Sequence, residues 1–261
     1  MRTNFHTHTP HCGHALGENT AEYAKAAYDA NIKILGFSDH APFKDHDFGC
    51  RMSFDELNTY FEEVDLLKEH YSGKMEIRKS LEIEYLPEYT KGRNYYEWLL
   101  NDQKLNYLLL GEHFFRDNEN QLFNLYNISS PELILEYAKA CCEAMHTGYF
   151  KILAHPDLFG VNPFPWGKIQ DQATDMIIEG ASKNRVILEF NANGYRRGIQ
   201  KYADGERYMY PLNQFWEKVR NANIKVIVGS DTHNPIEIWD YAMDQAYDYL
   251  HTLGITPIET F

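Results

Sequence analysis

Seven of the twelve histidines stand where a short apolar run ends. His6, His8 and His14 fall inside FHTHTPHCGH, His40 closes GFSDH and His113 closes LLLGEH. His155 lies in ILAHPD, and His233 follows Asp231 at the end of VIVGSDTH. Neutral imidazole is the commonest metal ligand among side chains. Side chains two apart on a strand face the same way, so His6 and His8 can grip one ion. Other apolar runs end in acids or amides: Asp39 beside His40, Glu82 and Glu84 in SLEIEY, Asp157 after His155, Glu189 and Asn191 in ILEFNAN. One such histidine reads as a surface or loop residue. A ligand-type residue at the end of every run points to a multinuclear metal site. His11, His46, His70, His146 and His251 lack this placement and carry no role.

The elements that must position these residues alternate along the chain. Apolar runs near 2–7, 33–38, 75–85, 106–111, 151–155, 186–191 and 225–230 predict strands. Amphipathic patterns over 19–30, 54–70, 93–101, 131–146, 170–184, 211–222 and 236–252 predict helices. Ser53 with Glu56 three residues on is a capping-box signal, and Pro131 suits a first helical turn. Seven strand–helix units predict a parallel α/β architecture, whose active site lies at the carboxyl ends of the strands. No linker, low-complexity tract or repeat divides the chain, so residues 1–261 read as a single domain.

Composition narrows the partners. A formal net charge of −13 disfavours nucleic acid, which needs basic surface. It leaves open an anionic small substrate, because bound cations can dominate a local field. There is no apolar stretch long enough for a membrane span, and no leader precedes the first motif. Four cysteines in 261 residues fit a reducing, cytoplasmic setting better than a disulfide framework. Cys12 reads as a loop packing residue, and Cys141 and Cys142 as helix packing. The sequence sets no oligomeric state.

Taken in order, HTHTPHCGHA, GFSDH, SLEIEY, LLLGEHF, ILAHPDLF and VGSDTH resemble the polymerase and histidinol phosphatase (PHP) family, most of all its monofunctional histidinol-phosphate phosphatases. The resemblance implies a distorted seven-stranded (β/α)7 barrel holding up to three divalent ions, Zn, Fe or Mn. It assigns His6, His8, Glu82 and Asp231 to the first ion. Glu82 would bridge to a second, held also by His113 and His155, while His14, His40 and His233 hold the third. On the residues alone, Glu82 or Glu84 can be the bridge; the alignment with the family's LEI glutamate favours Glu82 and leaves Glu84 behind it. Asp39 is expected to orient His40 or a neighbouring ligand, and Asp157 to do likewise or to cap the turn after Pro156.

The implied reaction is hydrolysis of L-histidinol phosphate to L-histidinol and phosphate, in L-histidine biosynthesis, by a metal-bridging hydroxide attacking phosphorus. Imidazole and carboxylate ligands suit Zn²⁺, Fe²⁺ and Mn²⁺. Three such ions against two carboxylates leave about +4 formal charges to draw in a phosphate dianion. Arg197, in the NANGYRRG loop, is the expected phosphate clamp, with Arg116 a second candidate and Arg196 a surface residue. Asp231 and His233 are candidates for proton transfer to the leaving alkoxide as well as ligands. Glu18 is a candidate partner for the substrate's cationic groups, and Phe43, Phe114, Phe115, Phe159 and Tyr195 for an aromatic wall. The same barrel can serve another small phosphate ester, such as a nucleotide or sugar phosphate. A metal-dependent amidohydrolase is the less favoured alternative, because NYLLLGEHF offers no lysine on the fourth strand to bridge metals.

Overall fold

A computed structural model describes residues 1–203 and 205–261. Seven strands form one parallel sheet in sequence order: β1 Arg2–Asn4, β2 Ile32–His40, β3 Glu76–Ile83, β4 Tyr107–Leu110, β5 Ile152–Leu153, β6 Ile187–Asn191 and β7 Val226–Gly229. β1 and β7 do not pair along their length. They meet just beyond their ends, through a parallel bridge between Thr7 and Thr232 and through Asn4, whose amide donates to Ser230 Oγ at 2.7 Å. The result is a nearly closed seven-stranded barrel, as the order of motifs predicts. Each strand–helix unit of the sequence has its strand; the helices include Thr20–Asp29, Leu57–His70, Leu133–His146, Lys168–Asn184, Asn213–Val219 and Tyr241–Thr252.

Local signals account for these elements. Asn19 caps the first helix by accepting from Glu22 N at 3.2 Å, and Ser53 N donates to Glu56 at 2.8 Å where the second begins. The second helix buries Leu57, Tyr60, Phe61 and Val64, an i, i+3, i+4, i+7 stripe. Each such side chain contributes about 1.5–3 kcal/mol of burial. Tyr60 goes further: its hydroxyl donates to Ser80 O at 3.0 Å and accepts from Asp39 N at 3.2 Å, tying the helix to β3 and β2.

Alternation sorts the strand residues into two cores. Leu188 and Phe190, Val226 and Val228, Leu108 and Leu110 point outward to the helices. Ile187, Ile227, Tyr107, Leu109 and Ile152 point inward and form the barrel floor with Phe5 and Ile34. The inward set of β6 therefore runs Ile187, Glu189, Asn191, and that of β7 runs Ile227, Gly229, Asp231. Apolar at the bottom and polar at the top, these rows end at the mouth.

Two antiparallel hairpins interrupt the alternation that the sequence predicts. Phe114–Arg116 pairs with Leu122–Asn124 directly after His113, and Ile199–Tyr202 pairs with Gly205–Tyr208 after the NANGYRRG loop. Among the described residues no helix is long and apolar enough to cross a membrane.

Candidate metal centre

All nine residues expected as ligands converge at the mouth. Their donor atoms fall into overlapping groups whose members lie within 4.8 Å of one another: His6, His8 and Asp231; His8, His40 and Glu82; Glu82, His113 and His155; His14, His40 and His233. Glu82 joins two of them. Its Oε2 lies 3.2 Å from His6 Nε2, 3.4 Å from His8 Nε2 and 3.1 Å from His40 Nδ1. Its Oε1 lies 2.9 Å from His155 Nε2 and 3.4 Å from His113 Nε2. One carboxylate oxygen faces each group, which is the arrangement a bridging ligand needs. Gly111, past the end of β4, leaves the room: a Cβ there would collide with the Glu82 carboxylate.

Glu84 stands behind this group. Arg51 holds it through two bonds of 3.0 Å, and His113 Nδ1 donates to it at 3.2 Å. Burial opposes its ionisation, but Arg51 and then His113 bring the carboxyl down to about 2. Similar ties recur around the mouth. His6 Nδ1 donates to Glu189 at 2.9 Å, His8 Nδ1 to Asp39 at 3.3 Å, His14 Nδ1 to Cys12 O at 3.2 Å and His233 Nδ1 to Asp231 O at 3.1 Å. Each tie fixes one ring nitrogen and turns the other inward, as in metal sites whose ligand histidines are oriented from behind. Asp39 also accepts from Thr9 N, Thr9 Oγ1 and His40 N. It orients His8, the neighbouring-ligand alternative for Asp39.

The inward nitrogens test whether cations fit. His6 Nε2 and His8 Nε2 face each other at 3.0 Å. His233 Nε2 is buried without a hydrogen-bond partner. An unpaired buried nitrogen is costly, and a donor set of this kind fits divalent cations. Without metal, charge is balanced by protons. Burial would depress His6 and His8, yet Glu189, Glu82 and Asp231 raise His6 well above its usual range. Hydrogen bonds donated to Asp231 and Asp39 bring His8 up to about 9. Burial together with His8 pushes His40 down to about 4 and His233 to about 2. Glu82 and Asp231, despite burial, are held well below the carboxylate range, chiefly by His6.

His155 reaches the site against the alternation of its strand. Ile152 and Ala154 face the floor, so the next residue would face outward. A positive φ of 30° at His155 breaks that phase, and its N–H donates to Glu189 Oε2 at 3.2 Å. Asp231 also has a positive φ, 48°. Both conformations are uncommon for residues with a Cβ and collect at functional sites.

The expected substrate contacts divide. Arg197 stands at the mouth with its guanidinium 5.7 Å from the Tyr210 ring centre; Tyr210 in turn lies 6.3 Å from the His155 ring. Tyr210, Tyr126 and Asp231 all raise the Arg197 pKa. Arg116 is turned elsewhere: it pairs with Glu88 at 2.9 Å and donates to Asn120 O at 2.9 Å within the first hairpin. Arg196 is a structural clamp, bound to both Asp240 oxygens and to the carbonyls of Ser230 and Glu237. Glu18 is exposed in the loop after His14, where its N–H donates to Glu22 at 3.0 Å. Of the aromatic wall, Phe43, Phe115, Phe159 and Tyr195 are core residues, and only Phe114 is partly exposed. Asp157 neither orients a ligand nor caps its turn; it accepts from Leu212 N at 2.6 Å and Trp216 Nε1 at 3.0 Å. Cys12 is fully buried, and its sulfur lies in a further group with His8 and His233.

Two further residues border the site: Tyr126, with no expected role in the sequence, and Glu189, a run-end acid there without an assigned ion. Tyr126 stacks on His113 with 8° between the rings and 6.1 Å between centres. Glu189 ends an inward row of β6, a position visible in ILEFN, but its partners are set by the fold.

The PHP domain matches residues 4–193, close to three quarters of the sequence. The chain belongs to the PHP family. This PHP chain is 25% identical over 264 residues to a histidinol-phosphatase of Bacillus subtilis, covering 87% of this chain and 92% of that protein. It is 26% identical over 248 residues to a Deinococcus radiodurans protein named as a probable histidinol-phosphatase, covering 89% and 86% respectively. Its fold matches the crystal structure of histidinol phosphate phosphatase from Lactococcus lactis, complexed with zinc, L-histidinol and phosphate. That match has a TM-score of 0.74 at 16% identity and covers 100% of this chain and 96% of that one.

Proposed function

We propose that this PHP chain is a metal-dependent histidinol-phosphatase, hydrolysing L-histidinol phosphate to L-histidinol and phosphate in L-histidine biosynthesis. The observation that carries the reading is the Glu82 carboxylate, with one oxygen among His6, His8 and His40 and the other between His113 and His155. In this reading His6, His8, Glu82 and Asp231 hold one divalent ion, Glu82, His113 and His155 a second, and His14, His40 and His233 a third. Zn, Fe and Mn all suit such ligands. The choice of substrate is supported by the relatives from Bacillus subtilis and Lactococcus lactis.

Bound divalent ions supply Lewis acidity to the phosphoryl oxygens and lower the pKa of water. The chain's own residues do the rest. Arg197 binds phosphate oxygens from the rim through its guanidinium fork. Asp231, held by the amides of Asn191 and Asn193 at 3.2 Å each, is placed to take a proton from the attacking water and hand it to the leaving alkoxide, with His233 two residues on as its alternate. Tyr126 and Tyr210 border Arg197. Four free cysteines fit a cytoplasmic enzyme, and the acidic chain fits a small substrate better than a nucleic acid.

The test is phosphate release from a panel of monoesters by metal-analysed protein with added Mn²⁺ or Zn²⁺. L-Histidinol phosphate should turn over far faster than nucleotide or sugar phosphates. Equal slow rates on every ester would remove the substrate assignment and keep the phosphatase; no release from any would remove both.

A further inference from the structure

Glu189 is buried in the barrel, 1% exposed, and no lysine or arginine is among its partners in the hydrogen bonds and ion pairs of the described residues. All four polar contacts of its carboxylate run to the metal centre. His6 Nδ1 lies 2.9 Å from Oε1 and 3.1 Å from Oε2. The backbone N–H of His155 donates to Oε2 at 3.2 Å, as does the Asn191 amide at 2.9 Å. That same Asn191 nitrogen lies 3.2 Å from Asp231 Oδ2. On β7, Gly229, in register with Asn191, leaves room for Glu189: a Cβ there would collide with Glu189 Oε1. The barrel therefore keeps a space for this one carboxylate.

The contacts divide unevenly over the proposed ions. His6 and Asp231 belong to the first group, and His155 to the second. The third group has its own ties: His14 and His233 lean on the carbonyls of Cys12 and Asp231, and no contact of Glu189 reaches His14, His40 or His233. From this placement we infer that Glu189 is a positioning residue that couples the first two ion positions and leaves the third independent. It holds His6 with Nε2 inward, and it fixes the left-handed backbone that turns His155 to Glu82. The inference rests on the metal reading above. Histidine ligands deprived of such a partner typically lose metal affinity by about 10–100-fold.

Glu189→Gln keeps the shape and removes the charge. A carboxamide offers one accepting oxygen and an NH₂ that must face one of three donors, so at least one tie breaks. Full-length protein is equilibrated against buffered Zn²⁺ over a range of free concentrations, and bound zinc is counted by elemental analysis beside thermal unfolding of the chelated protein. Expected for Glu189→Gln is loss of about two ions per chain at concentrations that fill the wild type, a shift of about tenfold or more, with the last ion bound at wild-type affinity. Glu189→Asp keeps the charge on a shorter arm and should show the same pattern more weakly; it serves as the test if the glutamine variant does not fold. Folded variants that bind every ion as the wild type does would overturn the inference, as would equal weakening of all positions. A wild type that fills its sites, compared with His8→Ala that fills them equally well, would instead overturn the metal reading itself.

Discussion

The floor and the mouth of this barrel are made from the same strands, two to four residues apart. On β6, Ile187 faces the floor and Glu189 the mouth; on β7, Ile227 and Asp231 are separated by Gly229. On β6 those two positions amount to about 6.6 Å of rise. Over that distance the interior changes from a dry apolar layer to a ring of donors. Phe5, Ile34, Tyr107, Leu109, Ile152, Ile187 and Ile227 close the floor, sealed from beneath by Ile258 and by Phe261, whose ring lies 4.8 Å from Phe5. The floor needs only to be apolar and full. The mouth needs each nitrogen aimed, and five of its rings, His6, His8, His14, His113 and His233, are held by a further group behind them. Stability and chemistry are thus stacked along one axis, and the apolar layer below strengthens the polar contacts above by excluding water.

If that division is real, His8→Ala should produce the largest effect and confine it to the mouth. His8 belongs to the groups of Asp231 and of Glu82, so its loss removes a central ligand of the first proposed ion. Turnover should fall by roughly three orders of magnitude or more, the size of effect seen when one member of a catalytic unit is removed. The circular dichroism spectrum should remain that of the folded barrel. Turnover equal to wild type would break the assignment of the mouth. Ile187→Ala tests the other layer on the same face of the same strand. A buried isoleucine cut to alanine costs about 2–5 kcal/mol, which for a chain of this size lowers Tm by roughly 5–15 °C. Metal content and kcat of the folded fraction should not move. A change in metal affinity there as large as that of Glu189→Gln would erase the boundary between the layers.

The two layers were not equally legible in the sequence. Strand order and the inward rows follow from periodicity and from ligand residues recurring at run ends, so the floor and most of the mouth residues need nothing more than alternation and proximity to a strand end. His6 and His155 are the exceptions: each directly follows a floor residue, Phe5 or Ala154, so alternation turns it outward, and at His155 a positive φ, invisible in ILAHPD, brings it in. The outer ties were harder still. Glu189 meets His6 across a contact of 183 residues, a pairing that no local spacing contains. Arg116 shows the reverse error. Its position just after His113 suits a phosphate clamp, but the hairpin that follows His113 hands it to Glu88. Choosing between Arg196 and Arg197 rested on the loop's resemblance to the family, and the fold adds the physical reason: Asp240, 44 residues on, occupies the first.

Acidity gives a subtler way to separate the layers, because only the mouth titrates. In metal-free protein the folded His8 pKa is raised to about 9 from an ordinary 6.5. Its protonation therefore stabilises the fold fully below pH 6.5, and the contribution fades as pH rises through 9. A shift of that size corresponds to stability on the order of 3 kcal/mol. His6, raised in the same direction, adds to the trend, while Glu82 and Asp231 remain ionised throughout this window and contribute no slope. Chelated protein should accordingly lose several degrees of Tm between pH 6.5 and 9. Zinc should abolish most of that slope, since the ion replaces the protons on His6 and His8 and releases them on binding. Ile187→Ala should lower the whole curve without changing its slope, and His8→Ala should flatten it without zinc. A chelated wild type whose Tm is level from pH 6.5 to 9 would mean that the carboxylates of the mouth are not balanced by protonated histidines.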